Sequence, residues 1–449
     1  MSRGVAVLAL AAIVALLTLR PAVAADARII TFEEALRIAL ERNSSVRQAQ
    51  NAARASGVTV GQARGQFYPD LALSSRGLQS YGRNFDESEG RVIDTSTRSA
   101  SVGLSSSVTL FDGFGNTATL SQAKLDQQAS DQDLARVRET VVFTVASNFL
   151  LLVQQQGQLR VQRESLAAES ELERQIKDYV DAGARTIADL YQQQANVAAA
   201  RLAVVEAERA AQLAEVDLME TLQLDPAGAY QFEPPPYSPS MTRAAPSLDA
   251  MLASAYDQRA DLRAQEQRLE AAGEGIRIAK SGRWPTIALG TDYGTNYTSA
   301  SDFGLSEQFD QRRGGAVGLS FTLPIFNHGN TTAAIRRAEI EASNAQIAFD
   351  ALRTQVGLDV RRAYLDFNAA REQLSAADSQ VEAAELALQA AQDRYQAGAA
   401  TLVELTQARA GQVEAASALV TAKSNLVFQR TLVDYFTGDL EVPASASEE

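Results

Sequence analysis

The chain contains no cysteine, and only one histidine, His328, in 449 residues. Without cysteine there can be no disulfide framework, no thiolate metal site, no thiol nucleophile and no thiol for lipid attachment. A single histidine cannot build a histidine metal cluster. Basic residues are the minority, 41 against 55 acidic, for a net charge of −14. Nucleic-acid binding wants a basic face, so that partner is not expected. The patterns G-x-x-x-x-G-K-[ST], H-E-x-x-H and G-x-S-x-G do not occur, which removes the common phosphate-loop, zinc-protease and hydrolase signatures. Ser121-Gln122-Ala123-Lys124 fits S-x-x-K. It lies in a helical stretch with no S-D-N or K-T-G elsewhere, so it reads as helix surface. Asp131 and Asp133 likewise read as polar helix positions rather than a metal pair. The expectation is a protein that is not an enzyme, with no catalytic residue, no metal and no cofactor.

Long apolar runs are equally scarce. Val5 to Leu19 is apolar for about 15 residues, behind Arg3 and ahead of Ala22-Val23-Ala24. A bilayer span needs roughly 20, and the A-x-A ending marks residues 1–24 as a secretory signal peptide. Its removal takes Arg3 and Arg20 and no acid, leaving 39 basic against 55 acidic residues, or −16. No other stretch approaches 18 apolar residues, so a mature chain that crosses a membrane would do so as a closed β-barrel.

What is present is a duplication. With residue i laid on i+216, Leu36 meets Leu252, Ala39 meets Ala255, Pro69 meets Pro285, Leu71 meets Ile287 and Leu73 meets Leu289. Further on the offset is 215. Phe149 meets Tyr364, Leu150 meets Leu365, Gly183 meets Gly398, Thr186 meets Thr401, Asp189 meets Glu404 and Leu190 meets Leu405. Two tandem structural repeats follow, at 25–224 and 247–437. Between them, 225–246 holds six of the eleven prolines, including Pro234, Pro235 and Pro236. That density forbids a helix and favours an extended linker. Residues 438–449 read as a disordered acidic tail.

Each repeat spells helix, two strands, helix. Thr31 with Glu34 three residues later forms a capping-box pattern, and Ser247 with Asp249 opens the second repeat. Pro69 and Pro285 end the first helices and start the strands. The period then changes to two. Val102, Leu104, Val108 and Leu110 alternate with Ser and Gly, as do Val317, Leu319, Phe321 and Leu323. The expected hairpins cover about 69–111 and 285–325, with polar loops near 80–97 and 297–314. Strands of about ten residues with one apolar and one small polar face suit a membrane barrel with a wet lumen. Tyr68, Phe111, Phe114, Trp284, Tyr293 and Phe326 could supply aromatic girdles at the strand ends. A soluble sandwich hairpin has the same pattern.

A very long helix follows in each repeat. From Gly115 to Gly183 there is no proline and one interior glycine, Gly157; the second copy runs from Gly329 to Gly398. At 1.5 Å per residue such a rod reaches roughly 100 Å. Val360, Phe367, Leu374, Val381, Leu388 and Tyr395 recur every seven residues, each followed three positions later by Ala or Gly. This is a coiled-coil seam of large and small residues that lets helix axes approach closely. The first copy keeps the beat through Val145, Leu152, Leu159 and Leu166 and loses it at Glu173. Glycine stops at 183 and 398 turn the chain back, giving helix pairs at about 115–224 and 329–436.

One chain offers four strands, whereas the smallest membrane barrels need about eight. An open four-stranded sheet in lipid would strand about twenty edge groups at several kcal/mol each, more than the roughly 5–15 kcal/mol that holds a domain together. If the strands lie in a membrane, copies of the chain must complete the wall.

The sequence at this point resembles the TolC-type outer membrane efflux protein family. The resemblance rests on the duplicated plan, on Gln66-Phe67-Tyr68-Pro69-Asp70-Leu71 with Gly282-Arg283-Trp284-Pro285-Thr286-Ile287, and on Leu110-Phe111-Asp112-Gly113-Phe114-Gly115-Asn116. The tip motifs Tyr179-Val180-Asp181-Ala182-Gly183 and Arg394-Tyr395-Gln396-Ala397-Gly398 complete it. It implies a mixed α and β membrane protein: a homotrimer whose twelve strands form one outer-membrane barrel, continued by a long periplasmic α-helical coiled-coil tunnel. It implies an exit channel of a tripartite efflux or secretion system in a Gram-negative bacterium. The implied partners are a periplasmic adaptor protein, an inner-membrane pump of RND, ABC or MFS type, and outer-membrane lipid. It further implies an iris-like gate at the periplasmic helix tips. Glu404 stands where the family has the first carboxylate of a constriction ring; the second falls on Gln407, which is neutral. Asp189 and Tyr395 match residues whose links hold the closed state, while the family's arginine near that tyrosine falls on Ala400. Gly183, Thr186, Gly398 and Thr401 would form the turns that meet the adaptor. The alternatives are a type I protein-secretion duct of the same fold, or a periplasmic coiled-coil spacer that forms no channel.

Overall fold

The computed structural model describes residues 28–86, 90–233 and 246–443. The expected signal peptide and the proline run at 234–239 lie outside the described residues. In the first half, strand β1 (Arg28–Thr31) leads into helices α1 (Phe32–Arg42) and α2 (Ser44–Gly65). Strands β2 (Ala72–Asp86) and β3 (Arg91–Phe111), then helices α3 (Gly115–Asp181) and α4 (Ile187–Leu222), complete it. The second half runs β4 (Tyr230–Glu233), α5 (Leu248–Gln258), α6 (Ala260–Ser281), β5 (Thr286–Thr298), α7 (Leu305–Gln311), β6 (Gly314–Thr322), α8 (Asn330–Gln396) and α9 (Leu402–Thr437). Corresponding helices have equal lengths: α1 and α5 have 11 residues, α2 and α6 have 22, α3 and α8 have 67, α4 and α9 have 36.

Local chemistry sets the boundaries. Thr31 Oγ1 accepts the Glu34 N–H, and Ser247 Oγ accepts the Ala250 N–H. Only half of the expected capping box forms, because the Glu34 carboxylate pairs with Arg28 instead. Each long helix leaves its strand through two successive left-handed residues, Gly113 and Phe114 in the first half, His328 and Gly329 in the second. At Gly113 (φ 70°) a Cβ would stand 2.5 Å from Trp284 Cβ and 2.7 Å from the Ser281 carbonyl, so conformation and space both demand glycine there. His328 is a turn residue whose ring lies 5.0 Å from that of Phe326.

The strands form one sheet in the order β2-β3-β5-β6, antiparallel throughout. The register carries the alternation across all four. Leu73 faces Leu104, which faces Tyr293; Val108 faces Leu289, which faces Leu319. The opposite face is small and polar: Ser74 pairs Gly103, which pairs Gly294, and Ser107 pairs Gly290, which pairs Gly318. Among the described residues nothing covers the apolar face, where Leu73, Leu104, Tyr293, Val317 and Leu319 stand exposed.

Several expectations change here. The first hairpin is longer than its pattern suggested, with 15- and 21-residue strands through most of 80–97. Beyond the apolar stretch the face of Leu73 mixes Tyr81, Phe85 and Val92 with Gln79, Ser96 and Arg98, which hides the period of two, yet each added pair still closes backbone hydrogen bonds. The second loop is not irregular either, since it holds α7. There the buried Gln308 amide accepts from Thr298 N–H and donates to the Thr298 and Phe303 carbonyls. Tyr293 lies mid-strand, opposite Leu104, rather than at a strand end. Tyr68, Phe114, Trp284 and Phe326 do stand exposed where the sheet meets the helices.

Two stretches expected to lack structure are partly built in. Tyr230–Glu233, inside the linker, pairs in parallel with β1. Leu440 and Val442, inside the tail, pack against the first core. That core joins α1, α3, α4, β1 and β4 through Leu36, Val145, Phe149, Leu152, Leu218, Leu222 and Phe232. One 18-residue window of α3 is apolar enough to cross a bilayer, against the reading that no second such stretch exists. The burial of Val141, Val142, Val145, Phe149 and Leu152 shows its apolar residues serving this core.

The α8 seam behaves as the heptads indicate: Val360, Ala363, Phe367, Ala370, Ala377 and Tyr395 are buried. In α3 the seam continues past Leu166 through Glu169 and Ile176, three positions beyond Leu166 and Glu173, with Leu172 buried in place of Glu173.

Candidate gate at the helix tips

Both long helices end in the same device. The Ala184 N–H reaches the Tyr179 carbonyl (2.8 Å) and the Gly183 N–H reaches Val180 (2.9 Å). In the second repeat Ala399 bonds Arg394 (2.8 Å) and Gly398 bonds Tyr395 (3.1 Å). These are paired Schellman stops, with Gly183 and Gly398 both at φ 74°. The returning helices are capped alike. Thr186 Oγ1 accepts the Asp189 N–H at 3.2 Å, and Thr401 Oγ1 accepts the Glu404 N–H at 3.2 Å. The four expected turn residues thus form two rigid, exposed turns.

The three expected gate residues are distributed differently from their pairing in the resemblance. The Asp189 carboxylate folds back on its own cap, accepting from the Thr186 N–H and hydroxyl. Glu404 forms an ion pair with Arg394 (3.2 Å) across the second turn. Tyr395 is buried, only 5% exposed, among Leu172, Ile176, Leu190, Ala400, Leu402 and Leu405. Its hydroxyl has no hydrogen-bond partner among the described residues. The structure therefore does not join Asp189 to Tyr395.

Arg185 takes that place. Its guanidinium lies 4.4 Å above the Tyr395 ring and donates to the Tyr395 carbonyl at 3.2 Å. The contact ties the turn of one hairpin to the end of α8 in the other. Arg185 is the repeat counterpart of Ala400, at the same offset of 215 that relates Gly183 to Gly398. The arginine missing at Ala400 is thus present on the other repeat, and the offset was the signal that could have located it. Pro69 and Pro285 lie just ahead of β2 and β5. Beside Pro69, Asp70 fastens the chain to β3 by accepting the Ser107 N–H and hydroxyl.

A second cross-link had no signature. Above the tips Arg409 of α9 donates to the Ala168 carbonyl (3.0 Å) and lies 3.5 Å from the Glu169 carboxylate of α3. Gln193 of α4, fully buried, donates to the same Glu169 carboxylate and carbonyl. Three helices from both repeats meet at one buried charge pair. A cavity of about 930 Å³ separates it from the turns, lined by Leu172, Tyr179, Arg185, Tyr395, Leu405 and Arg409 among others.

Burial pushes the Tyr395 phenol above its ordinary pKa; Arg185 opposes this, and Asp189 and Tyr179 add to it. A phenol raised on folding contributes stability that is complete below the unfolded value of about 10 and is lost as pH rises through the folded value. Tyr395→Phe should remove that alkaline loss. It should also leave neutral stability within about 1 kcal/mol or improve it, because the deleted hydroxyl makes no hydrogen bond. Melting curves of both proteins from pH 8 upward check this: the two should diverge only above about pH 10.

Among the described residues, two hairpins of 67- and 36-residue helices, stopped by matched turns, carry an uncovered four-stranded sheet with two free edges. The outer membrane efflux protein family matches residues 35–222 and again 251–432, and the chain belongs to that family. The protein CyaE of Bordetella pertussis is 27% identical over 388 residues, 85% of this chain and 78% of its own length. The outer membrane efflux protein BepC of Brucella suis is 24% identical over 88% of this chain and 83% of its own. Among solved structures, the outer membrane protein VceC of Vibrio cholerae has the same fold, with a TM-score of 0.79 at 20% identity over 91% of this chain and 96% of its own. The family membership makes this an outer-membrane efflux protein and removes the periplasmic spacer as a reading.

Proposed function

We propose that the chain is the exit duct of a tripartite efflux or secretion system. It acts as a homotrimer and passes substrates from an inner-membrane pump of RND, ABC or MFS type, through a periplasmic adaptor, across the outer membrane. The sheet is the observation that carries this reading. Strands β2 and β6 are free edges that run in opposite directions. Pairing β6 of one copy with β2 of the next preserves the antiparallel order, and three copies make twelve strands with no edge left. The helices support the same arithmetic. Exposed Tyr191, Leu202, Val205 and Val216 stripe α4, and exposed Ile340, Ile347, Leu358, Leu365 and Leu386 stripe α8. At about 100 Å, α3 and α8 are long enough to cross much of the periplasm.

The tips act as the gate in this proposal. Arg185 on Tyr395 holds the two hairpins of a chain together, Asp189 keeps its turn capped, and Glu404 contributes to a ring of three carboxylates that favours cations. The turns at Gly183, Thr186, Gly398 and Thr401 meet the adaptor. Planar-bilayer recording tests the gate. Arg185→Ala removes a stacked cation and a charged hydrogen bond worth about 2 kcal/mol per chain, so open-state occupancy should rise at least about tenfold. Glu404→Ala should lower cation preference. Unchanged conductance and selectivity in both variants would remove the gate assignment. The trimer has its own test: the protein should fractionate with outer membranes and run as a heat-dissociable trimer in detergent. A monodisperse monomer in plain buffer would sink it.

A further inference from the structure

The register of the sheet sorts its charges in a way the apolar alternation conceals. On the small polar face, along the stretch where β2, β3 and β5 run side by side, the residues are almost all Ser, Thr, Gly, Ala and Asn. Two are charged. Arg76 pairs with Ser101, which pairs with Asn296; Asp292 lies between Ser105 and Ala316. The row of Asp292 is also that of Ala72, four residues below Arg76, or about 13 Å along the strand. Arg76 therefore lies nearer the β2–β3 turn and Asp292 nearer the helices. Neither side chain makes an ion pair or hydrogen bond among the described residues, and both are exposed. The apolar face has its own occupant, lipid, so this face is the one that meets water.

We infer that Arg76 is a selectivity residue of the exit lumen: three copies form a cationic ring that favours anionic solutes, set beyond a ring of three Asp292. The inference rests on the trimeric barrel proposed above. Twelve strands 4.8 Å apart and tilted about 40° enclose a backbone radius of about 12 Å. The arginine stem carries its guanidinium well inside that radius, to within the Debye length of about 8 Å from the axis at physiological salt. The neighbouring rows of that face are uncharged, and Asp292, about 13 Å along the strand, lies beyond the Debye length of about 8 Å. A solute leaving through the sheet meets acid first and base second. The chemistry that gains from the second ring is carboxylate, phosphate or sulfonate on the cargo.

Reversal potentials across a KCl gradient test this. The Arg185→Ala protein serves as parent, so that the tips do not dominate the resistance. At about 0.1 M salt or below, Arg76→Gln should raise the potassium-to-chloride permeability ratio about twofold or more, and Asp292→Asn should lower it. Arg76→Lys should match the parent, and the differences should vanish near 1 M, where the Debye length is about 3 Å. Identical low-salt reversal potentials in Arg76→Gln and parent would overturn the ring while leaving the barrel standing. So would a shift that persists undiminished at high salt, which would mark a change of pore shape. Absence of both conductance and a detergent-stable trimer in the unmodified protein would remove the barrel, and the ring with it.

Discussion

Arg409→Ala is expected to cost about 3–5 kcal/mol, because it leaves a buried carboxylate without its counter-charge. Glu169 and Arg409 are each about nine-tenths buried at their side chains, 3.5 Å apart. Gln193 satisfies one side of the carboxylate but carries no charge. The loss falls on the contact between α3, α4 and α9 just above the tips. Hydrogen exchange there should accelerate while the core around Phe149 and Leu218 keeps its protection. Glu169→Gln in the same chain should restore most of the loss, since a neutral amide does not need the cation. Measured melting points of the single and double variants decide the matter. Equal destabilisation in both would mean that Arg409 acts through packing of its stem alone.

Leu319→Arg should have the other large effect. Leu319 is opposite Leu289 on the apolar face of β6 and two-thirds exposed in the single chain. A charge at the middle of a lipid-facing strand costs about 2–4 kcal/mol, and a trimer would incur it three times. The expected result is loss of the heat-dissociable trimer, with the chain retained as helical monomer. Ser320→Arg, one residue along on the small polar face, should assemble normally. If both variants behave alike, the two faces of the sheet are not distinguished by lipid.

Much of this was legible in the sequence, for identifiable reasons. The long helices announce themselves because nothing breaks them between Gly115 and Gly183 or Gly329 and Gly398, and their stops are glycines that only a left-handed turn requires. The strands show a period of two wherever one face is apolar and the other small and polar. At 80–97, where Tyr81, Phe85 and Val92 share a face with Ser96, the signal fades although the hydrogen bonds continue. The geometry of the tips was legible by half. Thr186 with Asp189 and Thr401 with Glu404 are local capping pairs, fixed by spacing of three. Arg185 on Tyr395 joins residues 210 apart, and only the repeat offset pointed to it.

The sequence by itself determined the duplication, the element types and the turn chemistry at both tips, since each follows from neighbours in the chain or from a fixed period. The tertiary structure decided which charges meet. Glu169 finds Arg409 across 240 residues, Arg185 replaces the arginine absent at Ala400, and Arg76 falls on the same face as Asp292. Such encounters depend on helix azimuth and strand register, and those are set by how all the packed surfaces fit at once rather than by any local stretch of residues.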